Sequence, residues 1–395
     1  MEQIDINPQL RHQPSGVNTH FTGERWSFEE YVTNTSLMLQ SVHAKRSYVD
    51  AEKIATGNAP FELKPATEHS LGQSKKYRRG ILLVHGLTDS PYFMRYMGEF
   101  FQAQGFRVMA ILLPGHGTQP GDLLDVTWQE WAKAVAYGAD RLQDEADDLY
   151  LAGFSLGGAL AVRHSLLDTR VCGLWLFSPA LKVTSRAAWA NLHKFYSWLI
   201  PSAKWVDIKP DMDTYKYESL TMNAVYQTHL LIKNLDVQLK SQAINLPVFA
   251  AASVDDVTVD ISATLQFMAR LSHPNRHLVL YGNDLEKKPC NFAAEKLEWV
   301  NSAFPEQKIL NSAHTAIMLP PDDSHYGAKG SYSNCHHYYP DDMEKYEMCT
   351  KYPQRMLLGE ITPENIKLGV MRRLMFNPNF DALKISMREF IAGLP

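Results

Sequence analysis

The stretch LYLAGFSLGG, residues 149–158, decides how the rest of the chain is read. Its first four residues form a short apolar run suited to a buried strand. Gly153, Phe154, Ser155, Leu156 and Gly157 then fit G-x-S-x-G, and residues 156–167 continue with the character of a helix. A serine in such a strand-to-helix turn is raised above the carboxyl edge of the sheet, where ligands of open α/β sheets bind. Glycines two positions to either side allow a turn too tight for side chains, and the helix N-terminus behind it favours negative charge. Ser155 is therefore the candidate nucleophile. A glycine-flanked turn with a structural role only is the alternative.

The same alternation extends in both directions. Residues 81–84 (ILLV) form a continuous apolar run, as expected of a strand buried on both faces. Helical spacing follows over 91–104, and a second strand over 107–112 is closed by Pro114 and Gly115. Thr127 can cap a helix running to about residue 145, with Trp128, Trp131 and Val135 on one face. Residues 173–177 form a further strand. The rhythm then stops: 181–245 holds no clear strand and is rich in aromatics, so it reads as a helical insertion. Residues 247–251 resume the sheet, 262–271 supply its helix, and 278–281 and 307–310 are later strands. Near the amino terminus a helix starts at Ser27, with Glu29 and Glu30 in its first turn, and runs to about 55. The tail ends with a helix that Thr362 can cap, with Pro363 at its first position.

This order predicts an α/β fold with a mostly parallel sheet, helices on both faces and a helical lid insertion. The expected divisions are an N-terminal arm and helix (1–79), the first part of the core (80–180), the insertion (181–245), and the second part of the core with a C-terminal extension (246–395). Lys and Arg number 39 against 43 Asp and Glu, a formal charge of −4, which argues against a nucleic-acid partner. The opening residues lack the apolar segment of a signal peptide, and no apolar run reaches the ~20 residues that cross a bilayer. A cytoplasmic protein with no transmembrane segment is expected. Cys172, Cys290, Cys335 and Cys349 form no C-x-x-C pair, so free thiols are expected, with a Cys335–Cys349 bridge open to an oxidising compartment. His336 and His337, beside Cys335, fit no zinc spacing.

His85, Gly86 and Leu87 follow directly on the first buried strand. A loop there can aim a backbone N–H at a reacting carbonyl oxygen, and the residue after the nucleophile supplies a second donor. Leu87 and Leu156 are the candidate oxyanion donors. His85 is expected to orient the loop, and His116 to be structural within its proline-glycine turn.

LLVHGLTDSPY (82–92), LPGHGTQPGDLL (113–124), GFSLGG (153–158) and SVDDVTV (253–259), taken in that order, resemble the α/β-hydrolase family. Within it they are most similar to the monoacylglycerol-lipase, carboxylesterase and serine-aminopeptidase-like branch. The likeness extends over about residues 80–316. It implies an acid after the strand that follows the insertion, in a pattern like G-x-x-D-x-x-V. Asp256 fits, with Ser253 in the usual glycine's place; Asp255 and Asp284 are rivals. The base belongs in a loop after the last strand, where Ser312, Ala313 and His314 resemble the family's S-x-H. The interval from Asp256 to His314 is longer than usual, and His325 is the rival. The resemblance implies a serine hydrolase acting on a small-molecule ester without a cofactor. A peptidase, amidase or thioesterase on the same triad is the alternative, with a non-catalytic binding protein behind it. Within the insertion, Trp198 and Leu199 are candidates for lining an acyl pocket.

Overall fold

In the computed structural model, which describes residues 8–45, 50–65, 76–182, 204–284 and 297–394, the chain divides into two units. One comprises Met1–Gly173 with Val183–Gln242, the other Leu174–Lys182 with Ala243–Pro395.

In the first unit the run Ile81, Leu82, Leu83, Val84 has no solvent exposure. It ends the strand Tyr77–Val84, which pairs in parallel with Arg107–Ile111 on one side and Ala146–Phe154 on the other. The short strand Phe61–Leu63 adds an antiparallel edge to Arg107–Ile111. Arg107 begins its strand fully buried, and its guanidinium pairs with Glu62 and, at 2.7 Å, with Glu145. The helix Trp128–Glu145 buries Trp131, Ala134, Val135, Gly138 and Leu142, the i, i+3, i+4 stripe of an amphipathic helix. A methyl on Gly138 would touch Leu82 and Ile111, so the glycine lets this helix lie close on the sheet. Thr127 stands at its cap position, but the threonine side chain accepts no capping hydrogen bond.

The helix expected from Ser27 is Phe28–Lys45, followed by a separate helix Ala51–Asn58. Its start is a reciprocal capping box: Glu30 N–H donates to Ser27 Oγ at 3.2 Å, and Ser27 N–H donates to Glu30 Oε2 at 2.8 Å. Ahead of it the arm lies along the 113–122 loop. Ser15 Oγ donates to Asp122 at 2.7 Å, and Asn18 Nδ2 to the His116 carbonyl at 2.7 Å.

Residues 183–203 of the insertion, with half of its aromatics, lie outside the described residues, Trp198 and Leu199 included. Its described part is not wholly helical: Trp205–Asp207 and Leu220–Thr221 form a small antiparallel pair. Thr221 then caps the helix Met222–Ser241 by accepting from Ala224 N–H. Two-residue strands carry too little periodicity to be read from sequence.

In the second unit Val248–Ser253 pairs in parallel with the 174–177 end of Val171–Phe177 and with Arg276–Tyr281, which pairs in turn with Leu297–Val300. Phe390 of the helix Phe380–Ala392 packs against the Trp175 and Phe249 rings. Among the described residues, the mostly parallel sheet expected from the sequence is present in each unit. Residues 307–310 are not a strand. Lys308 sits in the left-handed region (φ 58°), which interrupts an extended run, and Ile309 makes only single bridges to Phe304 and Leu358. Thr362 does cap a helix, accepting from Asn365 N–H at 3.1 Å, but that helix is the single turn Pro363–Ile366, separate from the last one.

Cys335 and Cys349 are joined by a disulfide, which corrects the expectation of free thiols there; Cys172 is a free thiol. Both partners are buried in an apolar cluster with Tyr338 and Met356. Among the described residues, no helix is long and apolar enough to cross a membrane.

Candidate active site

The strand Ala146–Phe154 passes into the helix Leu156–Leu167 through a single residue, Ser155, at φ 51° and ψ −113°. A side-chain-bearing residue in that conformation costs roughly 1–3 kcal/mol, so its surroundings must hold it there. The glycines show how. A methyl on Gly153 would lie 2.3 Å from the Gly157 carbonyl, and one on Gly157 would lie 2.1 Å from the Val84 carbonyl oxygen. Main chain meets main chain on both sides of the serine, and only glycine fits. Leu156 is the first helical residue, and its N–H has no acceptor within the helix.

The 85–90 loop meets this turn. A methyl on Gly86 would lie 3.2 Å from Ser155 Cβ and 2.4 Å from Asp89 Oδ2. His85 carries no exposure, and its two ring nitrogens have different work. Nδ1 lies 2.9 Å from the Gly86 carbonyl and Nε2 accepts from Leu113 N–H at 3.0 Å, an arrangement that needs the neutral Nδ1–H tautomer. Burial, with neighbouring His116, holds this imidazole well below its ordinary range. His85 thus joins two loops and is not placed to take up a proton. Thr88, next to Leu87, has φ 66°. It is braced from the insertion: Tyr217 N–H donates to the Thr88 carbonyl at 2.8 Å, and Lys216 Nζ donates to Thr88 Oγ1 at 3.0 Å. Lys216 also pairs with the buried Asp89.

In the second unit His314 Nδ1 lies 2.6 Å from Asp256 Oδ2, with both side chains buried. The other carboxylate oxygen, Oδ1, accepts from Thr258 N–H at 2.7 Å and from Val259 N–H at 3.0 Å. Burial works to raise the Asp256 carboxyl, but the adjoining imidazole and these two N–H groups outweigh it, holding the group below its ordinary value. An ionised carboxylate bonded to Nδ1 leaves Nε2 as the nitrogen able to take a proton. Ser253, where the resembling pattern has glycine, donates its hydroxyl to the Ser312 carbonyl at 3.0 Å. The substitution ties the acid's strand to the base's loop. His314 N–H in turn donates to Glu360 Oε2 at 3.0 Å, and Glu360 is fully buried.

The rivals stand otherwise. Asp255 follows Ser253 into the turn, its N–H donating to Ser253 Oγ at 3.1 Å, and the imidazole bonds its neighbour instead. Asp284 is exposed, beyond the strand Arg276–Tyr281. His325 belongs to the 321–332 loop, bonded through Nδ1 to Ser331 Oγ at 2.9 Å and stacked on Tyr332. Cys335 has its sulfur in the disulfide, and among the described residues no cluster of His, Cys, Asp and Glu is arranged to hold a metal ion. Glu360, Lys216 and the hydroxyl of Ser253 escaped sequence reading. Glu360 and Lys216 belong to no motif, and Ser253 registered only as a departure from one.

The profile of the Hydrolase_4 family, serine aminopeptidase S33, matches residues 75–283. A thermostable monoacylglycerol lipase of Bacillus sp. (strain H-257) is 31% identical over 109 residues, 28% of this chain and 44% of that protein. A carboxylesterase of Bacillus subtilis (strain 168) is 29% identical over 86 residues, 22% of this chain and 35% of that protein. The chain thus spans less than half the length of these curated relatives. A solved structure reported for the metagenome-derived lipolytic enzymes LipS and LipT aligns at 21% identity with a TM-score of 0.48, covering 57% of this chain and 88% of that one.

Proposed function

The chain belongs to the serine aminopeptidase S33 family of α/β-hydrolases, and from that membership we propose that it is a serine hydrolase cleaving carboxylic esters through an acyl-enzyme. His314 Nε2 takes the proton of Ser155 Oγ as the oxygen attacks the ester carbonyl. Asp256, bonded to Nδ1, fixes the tautomer and stabilises the imidazolium. The N–H groups of Leu87 and Leu156 receive the oxyanion of the tetrahedral intermediate, a contribution of about 10²–10³ in rate for one such donor. Collapse expels the alcohol, which receives the proton from His314. Water, deprotonated by the same nitrogen, then frees the acid and restores Ser155.

The observation that carries this reading is the backbone of Ser155. A serine held at φ 51° between two glycines that admit no methyl, with the Gly86 loop against its Cβ, has no packing purpose to justify the strain. The substrate class follows from the relatives: a monoacylglycerol lipase and a carboxylesterase point to short-to-medium acyl or monoacylglycerol-like esters. Trp198 and Leu199, which lie outside the described residues, remain the sequence's candidates for the acyl side. The family's description as a serine aminopeptidase favours a second reading, cleavage of aminoacyl amides by the same residues.

The test is labelling by a fluorophosphonate together with a panel of p-nitrophenyl esters and aminoacyl anilides, on the wild type and on Ser155→Ala. Labelling and ester turnover that both vanish in Ser155→Ala are expected. Labelling that persists in that variant removes Ser155 as the nucleophile, and turnover confined to the anilides selects the amidase reading.

A further inference from the structure

Beyond the 75–283 region shared with the family, the second unit contains an ion pair between fully buried Glu360 and half-buried Arg373 that links the loops of the acid and the base. Glu360 follows the strand Leu357–Gly359, and Arg373 ends the strand Met371–Arg373, which pairs with it in parallel so that Gly359 lies opposite Arg373. Glu360 has no exposure and uses both carboxylate oxygens. Oε2 accepts from the His314 main-chain N–H at 3.0 Å. Oε1 accepts from Arg373 Nε at 2.7 Å and from Ile361 N–H at 2.8 Å. The Arg373 guanidinium reaches on to Thr258 Oγ1 at 3.2 Å. Thr258 N–H holds Asp256 Oδ1 at 2.7 Å, and Asp256 Oδ2 meets His314 Nδ1 at 2.6 Å.

These contacts close on themselves: His314 main chain, Glu360, Arg373, Thr258, Asp256, His314 ring. We propose that Glu360 and Arg373 are positioning residues for the acid–base pair, holding the His314 loop and the Asp256 loop in mutual register. The proposal rests on the serine-hydrolase reading above. A buried ion pair contributes little net stability compared with apolar packing, because desolvating both charges costs about what their attraction returns. Its value here is directional. The planar guanidinium fork spans a carboxylate on one loop's support and a hydroxyl on the other loop, which no apolar side chain can do. Glu360 is itself placed rigidly. Its N–H donates to Asn311 Oδ1 at 2.9 Å, and its carbonyl accepts from Asn365 Nδ2 at 2.9 Å. A methyl on the preceding Gly359 would lie 2.6 Å from the same Asn311 oxygen.

The experiment compares Arg373→Ala, Arg373→Lys and Thr258→Val with the full-length wild type. It reads kcat and KM on a p-nitrophenyl ester, the thermal midpoint, and the downfield proton resonance of the His314 Nδ1–H bonded to Asp256. A misplacement of about 1 Å costs on the order of 10²-fold in rate. Arg373→Ala is therefore expected to lower kcat about 10–100-fold with KM within about twofold, and to shift or broaden the Nδ1–H resonance. Arg373→Lys keeps the pair with Glu360 and recovers part of that loss. Thr258→Val, a surface change, lowers kcat severalfold at an unchanged midpoint. Wild-type kcat and an unmoved resonance in Thr258→Val and Arg373→Lys overturn the proposal, whether or not Arg373→Ala folds. If the wild type neither turns over esters nor takes a fluorophosphonate at Ser155, the hydrolase reading fails instead. The resonance then still decides whether the circuit positions His314 on Asp256.

Discussion

Ser155, Gly153 and Gly157 form a unit in which backbone strain and backbone contact balance. The serine conformation costs roughly 1–3 kcal/mol, and the close main-chain approaches around it leave the turn no room to relax. Gly157→Ala places a methyl 2.1 Å from a carbonyl oxygen of the central strand, where neither atom can move aside. The variant should lose about 3 kcal/mol or more of stability, read as a lower urea midpoint with unchanged slope. The acid is a second residue-scale case. Asp256→Asn keeps the shape but presents an amide where Nδ1–H needs a carboxylate, so kcat should fall about 10³–10⁴-fold. Asp255→Asn should stay near wild type under the same assay. Equal losses in the two variants would remove Asp256 as the orienting acid. Ser155 was legible because strand, turn and helix are contiguous in sequence. The Asp256–His314 bond joins residues 58 positions apart, so spacing alone left rivals open.

At the scale of elements, loops carry the chemistry and neutral buried histidines hold the loops. His116 lies in the 113–120 turn, its Nδ1 bonded to the Pro114 carbonyl at 3.0 Å and its Nε2 buried without a hydrogen-bond partner among the described residues. Burial pushes it down to about 4 from an ordinary 6.5. Because the folded value is the lower one, unfolding takes up a proton in this range. The stability contributed by His116 is complete above about pH 6.5 and is lost as pH falls through about 4, a change of roughly 3 kcal/mol. His85, shifted in the same direction, adds to the same slope. The wild-type thermal midpoint should therefore drop between pH 7 and pH 4.5 more steeply than that of His116→Asn. Parallel profiles would mean that carboxylates, not this histidine, set the acid limb. The sequence pointed to a structural role for both rings, yet not to the Lys216–Asp89 pair, since a lysine and an aspartate 127 residues apart carry no local signal.

For the whole molecule, the two units hold different parts of the proposed chemistry: nucleophile and oxyanion loop in the first, acid, base and their braces in the second. The second unit's C-terminal part is stapled by Cys335–Cys349, with Cα atoms 6.0 Å apart and a sequence separation of 14. Closing a loop of that size in the unfolded chain contributes about 3 kcal/mol. Cys335→Ser with Cys349→Ser should lower the unfolding midpoint correspondingly, and added reductant should lower the wild type to the level of the double variant. A double variant whose midpoint equals that of the wild type would show that the staple contributes nothing. Bonds of this kind persist in oxidising compartments.

What the sequence determined by itself was local or strongly periodic: the apolar strands from 81 to 281, the helix start at Ser27, the G-x-S-x-G turn and the order of the motifs. Each rests on side-chain spacing within a few residues, where the physics is that of one strand, one helix or one turn. The strand Leu297–Val300 and the Glu30 half of the cap were not read. The tertiary structure alone decided which aspartate meets His314, that Ser253 serves as a link, that Cys335 and Cys349 pair, and that Glu360 bonds the main chain of His314 while Arg373 joins it to Thr258. Those outcomes depend on buried polar groups finding partners, and a buried donor must take whichever acceptor the folded backbone brings within about 3 Å. Distance along the chain places no constraint on that choice. A lone glutamate at 360 therefore looked like any surface charge until folding removed it from water and set it against the main chain of His314.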